Sequence, residues 1–443
     1  MRRTNQFMLA PTREQHQILF ELADACSALY NAVNYRRRQS FFEGEIDWNY
    51  KDIYDAFSPV LGAYIAGQVI RKNSEAWRSF LALKRKKTQR GLPPHIRRVS
   101  PPGYWKDRST GERELRIIIR KDGYRITSRH VEIPLGRELR RRYGIRKLRV
   151  RWKGRLGWCG EQGRLEIVYD RVDRRWRCYQ NVEVSPPHQP RGNRSAFVDV
   201  NIRNLLVALI EGVPKPLIFR ARHLLSDWLY WGRCIAEHQS KLAQANGRHS
   251  SMRLRRLYRR RQHRLKQGIN SIVRAFVKFC WLADVSTIYV DDPLHTHDGV
   301  HWHKKGNTLL HNFWCYRYLM QRLRLTAEEY GIRVVARRAS SERCSLCGGN
   351  RGTTGCYRKH RGLFVCKTHN IAINADVNAC LNLAGAILPS PSLQRDRDNW
   401  LVTQPVAVSS HTGESPNLPA LAVENVNPLW CVAELSKSLL VER

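Results

Sequence analysis

Two short ligand pairs restrict the fold of this chain more than any other feature. Cys344 and Cys347 stand in a C-x2-C spacing, Cys366 and His369 in C-x2-H, and 18 residues separate the pairs. Each pair is a knuckle whose tight turn aims two soft or borderline ligands at one tetrahedral ion, the pattern of a structural zinc ribbon. Gly348, Gly349, Gly352, Gly355 and Gly362 supply the turns. Four protein ligands leave no open position, so this zinc braces the fold and does no catalysis. Cys356 and His360 lie between the pairs and leave an exchange of ligands open. Cys26, Cys159, Cys178, Cys234, Cys280, Cys315 and Cys431 are scattered among apolar or aromatic neighbours and read as free thiols in a reducing compartment.

Directly after the second pair comes Asp376, opening a short amphipathic helix in "NADVNACLN". Two further acids occupy similarly unusual places: Asp199 finishes the apolar run "AFVD" and Asp291 finishes "STIYVD". An aspartate at the end of a buried strand is costly unless a cation or metal faces it. Taken singly, each could cap a turn or helix. Taken together, they have the geometry of a ribonuclease H-like site, where carboxylates converge on two magnesium ions for phosphodiester cleavage. Asp292 is an alternative ligand beside Asp291. The loop with His295, His297, His301 and His303 has no supporting carboxylate or cysteine pattern, and reads as a flexible basic loop near nucleic acid.

Charge identifies the partner class. The chain has 77 Lys and Arg against 38 Asp and Glu, a net charge of +39 and a pI near 10.4. Counterion release on binding a polyphosphate relieves such self-repulsion, and a neutral partner does not. From His238 to Ala283 there are 12 Lys and Arg and no acid, whereas a helix built only for solubility mixes both signs. Arg253, Arg255, Arg256, Arg259, Arg260, Arg261, Arg264 and Lys266 are therefore nucleic-acid-binding candidates. No apolar run approaches the roughly 20 residues that span a bilayer, and the N-terminus lacks a signal-peptide core, so a soluble, cytoplasmic protein is expected.

Along the chain, Thr12 caps a helix with Ile18, Leu22, Cys26 and Leu29 at helical spacing, and a second helix runs through "YIAGQVIRKNSEAWRSFLALKRKK". From about Leu115 to Val184, short β-branched runs separated by Gly, Asp and Pro predict a small antiparallel β-domain. The Pro-rich stretch 185–194 marks a boundary. Strands follow at 195–200, 204–210 and 216–220, then helices, a strand at 286–292, a helix and a strand at 332–336. Beyond about Leu388 the composition turns to Pro, Ser, Asn and Val, as in a weakly structured tail.

This order of parts, with "SSERCSLCGG" placed before "CKTHNIAINADVNACLNLA", resembles the TnpB family of transposon-encoded RNA-guided nucleases, relatives of the compact type V CRISPR effectors. "PTREQHQILFELADACSALYN" is similar to the family's N-terminal helix and "FWCYRYLMQRLRLTAEEYGIRVV" to the stretch before its knuckle. The resemblance implies a multidomain α+β chain. A helical recognition region and a β-barrel-like wedge domain would precede an RNase H-like (RuvC) α/β nuclease domain with an inserted zinc ribbon. Its boundaries fall at 1–30 (wedge, N-terminal segment), 31–112 (recognition), 113–190 (wedge), 191–340 (nuclease, first part), 341–370 (zinc ribbon), 371–388 (nuclease, last helix) and 389–443 (tail).

Carried over by position, Asp199, Asp291 and Asp376 would be the catalytic magnesium ligands, and Cys344, Cys347, Cys366 and His369 the zinc ligands. Asp291 stands where the family usually has Glu, one methylene or about 1.5 Å shorter. His369 stands at the usual last Cys, and "VDVNIRN" lacks the glycine common after the first Asp. The resemblance implies a guide RNA, a double-stranded DNA target read beside a short motif, magnesium-dependent cleavage, and a place in the prokaryotic cytoplasm at the nucleoid. Two other functions fit the same residues: target occupancy without cleavage, and RNA-independent transposition.

Overall fold

The computed structural model describes residues 1–89, 91, 92, 96, 98–107, 111–202, 204–247, 249–291, 313, 315–337, 343–350, 355–360, 362–387 and 405–408. The histidine loop, Asp292 and nearly all of the expected tail lie outside them. The chain divides into two compact units, Met1–Ser185 and Pro186–Arg443, and the division falls at the Pro-rich stretch.

The first unit runs β1 (Arg2–Ala10), α1 (Arg13–Glu43), α2 (Lys51–Leu61), α3 (Ala63–Thr88), β2 (Arg116–Ile119), β3 (Arg125–Ile126), β4 (His130–Pro134), α4 (Arg137–Tyr143), β5 (Lys147–Lys153), β6 (Glu161–Asp170) and β7 (Arg175–Glu183). Its strands form one antiparallel sheet in the order β2-β6-β7-β1-β5-β4-β3. Thr12 opens α1 with a capping box: its side chain accepts from Gln15 N–H, and the Gln15 side chain accepts from Thr12 N–H. Ile18, Leu22, Cys26 and Leu29 then face inward and share a core with Val69, Ile117, Val150 and Ile167.

The central strand β1 has no apolar alternation to betray it, because two of its inward positions are Arg3 and Asn5. Asn5 is satisfied there by donating to the Trp158 carbonyl at 2.8 Å and to Gln180 Oε1 at 3.1 Å.

The second unit continues with β8 (Arg194–Asp199), β9 (Asn204–Ile210), β10 (Leu217–Arg220), α5 (Arg222–Asn246), α6 (Met252–Leu282), β11 (Val285–Asp291), α7 (Tyr316–Glu329), β12 (Arg333–Arg337), β13 (Cys356–His360), β14 (Leu363–Cys366), β15 (Ile371–Asn374), α8 (Ala375–Gly385) and β16 (Val406–Val408). The sheet order is β12-β11-β8-β9-β10-β16: β8, β9 and β10 form an antiparallel meander, and β11 and β12 extend it in parallel from β8. Part of the expected tail is thus ordered, since β16 pairs in parallel with β10. A second, three-stranded antiparallel sheet joins β13, β14 and β15.

The two-residue period of a strand assigns each side chain of the larger sheet to a face. Ala196, Val198, Leu206, Ala208, Ile288 and Val290 pack with Leu265, Ile272 and Phe276 of α6 and Leu323 of α7. The alternate residues Phe197, Val207 and Leu209 pack with Val377 and Leu381 of α8 and with Phe364 of β14. Long helices therefore cover one face, and α8 with the small sheet covers the other.

Candidate functional site

Alternation places the acids. In β8, Phe197 points toward α8, so Asp199 does too; in β11, Tyr289 stacks on Phe197 with ring centroids 5.6 Å apart, and Asp291 follows its side. The parallel register sets Val198 beside Val290, so these aspartates finish adjacent strands. Asp376 enters the same face from the first turn of α8. All three acids are half-buried.

Amide side chains hold two of them in place. Asn204 donates from Nδ2 to Asp376 Oδ2 at 2.7 Å, and Asn201 from Nδ2 to Asp199 Oδ2 at 3.3 Å. Asn374, the N-cap of α8, accepts from the backbone N–H of Asp376 at 2.9 Å and of Val377 at 3.3 Å, fixing where the helix begins. Burial, then the charge of Asp376 and less strongly that of Asp291, pushes the Asp199 carboxyl up to about 7, against donation from Asn201. Cys380, one turn along α8 from Asp376, is pushed well above the ordinary thiol range, chiefly by burial and secondly by Asp199. It donates to the Val207 carbonyl at 3.3 Å. An all-oxygen set whose first member resists ionising because it is buried, and next because its neighbours are negative, fits a hard divalent cation.

The cysteine cluster differs from the expected ligand set at one position. Cys344, Cys347, Cys356 and Cys366 bring their sulfurs within 4.8 Å of one another, with Cys347 and Cys356 3.2 Å apart. Among the described residues these thiols are the group gathered closely enough to hold an ion as they stand. A tetrahedral Zn–S site spaces its sulfurs by about 3.8 Å, so the donor set fits zinc. The gathered group thus includes Cys356, where the spacing pointed to His369. The hairpin register is the reason: Cys356 of β13 lies opposite Cys366 of β14. His369 follows in an exposed turn, its Nδ1 3.4 Å from Cys366 Sγ. Cys347 is lowered to about 6: burial opposes ionisation and is outweighed by the Gly349 N–H and the thiols of Cys356, Cys344 and Cys366. Gly348 turns the knuckle at φ +77° and donates to the Cys344 carbonyl at 3.0 Å.

The basic helix is not brought to the acids. α6 packs on the face opposite α8, through Leu265, Ile269, Ile272 and Phe276. Arg253, Arg256 and Arg260 are exposed, while Arg255, Arg259, Arg261, Arg264 and Lys266 are half-buried. Several hold neighbouring helices. Arg264 donates to Asp227 of α5 at 2.8 Å, Arg260 lies 4.5 Å from the Trp231 ring, Arg261 4.7 Å from Trp228, and Lys266 5.2 Å from Tyr318 of α7. Asn201, Asn204, Asn374 and Asn378 escaped the sequence reading because asparagines in "NIRN" and "INADVN" look like turn and cap residues; their spacing around Asp199 and Asp376 is the signal.

Fold and site together define the class: an α/β domain with acids on one face of a mixed sheet and a cysteine-bearing hairpin ahead of its last helix. Comparison with known proteins agrees. Residues 178–296 match a family described as "probable transposase", and residues 316–383 match the Cas12f1-like TNB domain. The TnpB-like protein ORF457 of Acidianus two-tailed virus is 31% identical over 414 residues, 86% of either chain. The cryo-EM structure of a Cas12f1–sgRNA–target DNA complex shares the fold, with a TM-score of 0.55 at 15% identity over 84% of this chain and 83% of the other. The chain belongs to the TnpB family. Among the described residues, no helix is long and apolar enough to cross a membrane.

Proposed function

We propose that this protein is an RNA-guided DNA endonuclease: it binds a structured guide RNA, recognises a short motif beside the target, and cuts DNA in a RuvC-like domain. The observation that carries this is the convergence of Asp199, Asp291 and Asp376 on one sheet face from two adjacent strand ends and a helix start. Likeness to a Cas12f1 fold solved with guide RNA and target DNA supports the guided mode, as does the net charge of +39. The three aspartates would hold magnesium, which when bound supplies water activation and neutralises charge on the leaving oxygen. The protein's part is to orient the carboxylates, through Asn204 at Asp376 and Asn201 at Asp199. The four cysteines would hold zinc as a structural site.

Target occupancy without cleavage is the second reading, and the short reach of Asp291 motivates it. The deciding experiment is cleavage of a matched plasmid by the purified protein–RNA complex with and without magnesium. Tight target binding with no cut product would favour occupancy; binding and joining of transposon ends without RNA would favour transposition.

A further inference from the structure

Strand β9 breaks its own alternation beside the acids. Leu206 pairs with Phe219 but Asn204 pairs with Arg220, so Leu205 is an extra residue, a β-bulge. Leu205 and Leu206 accordingly both enter the core shared with α6 and α7, while Val207 and Leu209 pack with α8 on the other face. Without the extra residue, Asn204 would fall in phase with Leu206 and Ala208 and point into that apolar core. The bulge turns it to the face of the acids, where its Nδ2 donates to Asp376 Oδ2 at 2.7 Å.

The turn before β9 brings a second amide. Asn201 N–H donates to the Asn204 carbonyl at 3.2 Å, and Asn204 N–H donates to Asn201 Oδ1 at 2.9 Å. Asn201 Nδ2 then reaches Asp199 Oδ2 at 3.3 Å. One run of hydrogen bonds, Asp199–Asn201–Asn204–Asp376, thus joins an acid of a strand to an acid of a distant helix. The bond to Asp376 is the shorter, and it has a consequence for the ion. A hydrogen held at Oδ2 repels a cation approaching that oxygen, so Asp376 ligates through Oδ1. Magnesium demands near-ideal octahedral geometry, which the narrow bite of a two-oxygen carboxylate does not fit. Calcium takes about six to eight oxygens and accepts both oxygens of one carboxylate.

We propose that Asn204 is a positioning residue that determines metal specificity: by engaging Oδ2 of Asp376, it limits that carboxylate to one oxygen and favours magnesium over calcium. This rests on the magnesium reading of the three acids above. Asn204 acts through Asp376, and the β9 bulge is the device that seats it there.

The test titrates the full chain with manganese, whose paramagnetic resonance signal reports the free ion, and then displaces it with magnesium or with calcium. Wild type, Asn204→Leu and Asp376→Ala are compared at one pH. Asn204→Leu is expected to raise calcium affinity relative to magnesium about tenfold, the size typical of a change behind a metal ligand. Equal weakening of both ions, with their ratio unchanged, is what a merely structural role would give. That result would overturn the proposal and leave the magnesium site standing. Manganese bound alike by wild type and Asp376→Ala would overturn the site itself. Asn204→Ala, which removes the amide without adding bulk, is read in the same way if thermal melts show that Asn204→Leu does not fold.

Discussion

Asn378 of α8 accepts the backbone N–H of Ser345 through Oδ1 at 2.9 Å, and so ties the helix that carries Asp376 to the knuckle that carries Cys344 and Cys347. Its Nδ2 donates to the Arg343 carbonyl at 2.9 Å, and Asn382, one turn on, donates to the same oxygen at 2.8 Å. β15 also leads from the small sheet directly into α8. The cysteine cluster and the third acid are therefore parts of one construction, and disturbing the first displaces the second.

Asn378→Leu tests that tie. It strands the Ser345 N–H in a buried position and removes one donor to Arg343, a loss of about 1–3 kcal/mol. Denaturant unfolding should show the loss, and cleavage should fall with it. Unchanged stability and activity would mean that the knuckle and the helix are independent.

Zinc content separates the two candidate fourth ligands. Cys356→Ser should release zinc from the purified protein and lower its melting temperature, while His369→Ala should retain zinc. Retention in the first and loss in the second would restore His369 to the site.

pH acts on the acid cluster through Asp199. Its folded carboxyl titrates near 7, above the ordinary 3.8, so between these values the folded state binds more protons than the unfolded state. Without magnesium, stability should fall as pH rises through this window and level off above about 7. Magnesium binding, which needs the carboxylate, should strengthen over the same range. Asp199→Asn should remove this part of the pH dependence. Urea unfolding at several pH values measures it, and an unaltered profile in the variant would contradict the assignment.

The arginines of α6 should divide by environment. Arg253→Gln, at an exposed position, should reduce the salt slope of nucleic-acid binding by about 1. Arg264→Gln should instead lower stability, because it leaves the half-buried Asp227 without its guanidinium. Filter binding across a salt series, beside thermal melts, distinguishes the two.

What was legible in the sequence followed physical periodicity. "AFVD" and "STIYVD" announce buried strands, and an acid at the odd position of each must share a face with the aromatic two residues before it. Phe197 and Tyr289 do stack on that side. Thr12 and Gln15 announce a capping box and make one. Pair spacing alone pointed to His369 and left Cys356 as a spare, because the C-x2-H motif is local, whereas the hairpin register that sets Cys356 opposite Cys366 is a tertiary fact. The strand Arg2–Ala10 was hidden by inward Arg3 and Asn5, whose burial depends on partners more than 150 residues away, such as the Trp158 carbonyl for Asn5. A run of arginines shows charge but not which members will lie over tryptophans, as Arg260 and Arg261 do.

The most direct test of the central claim is magnesium-dependent cutting of a guide-matched plasmid by the protein–RNA complex, with wild type and Asp376→Ala compared side by side. The account predicts linear product from wild type only, with RNA and target binding equal in both. Equal cutting by Asp376→Ala, or cutting by wild type without RNA, would contradict it.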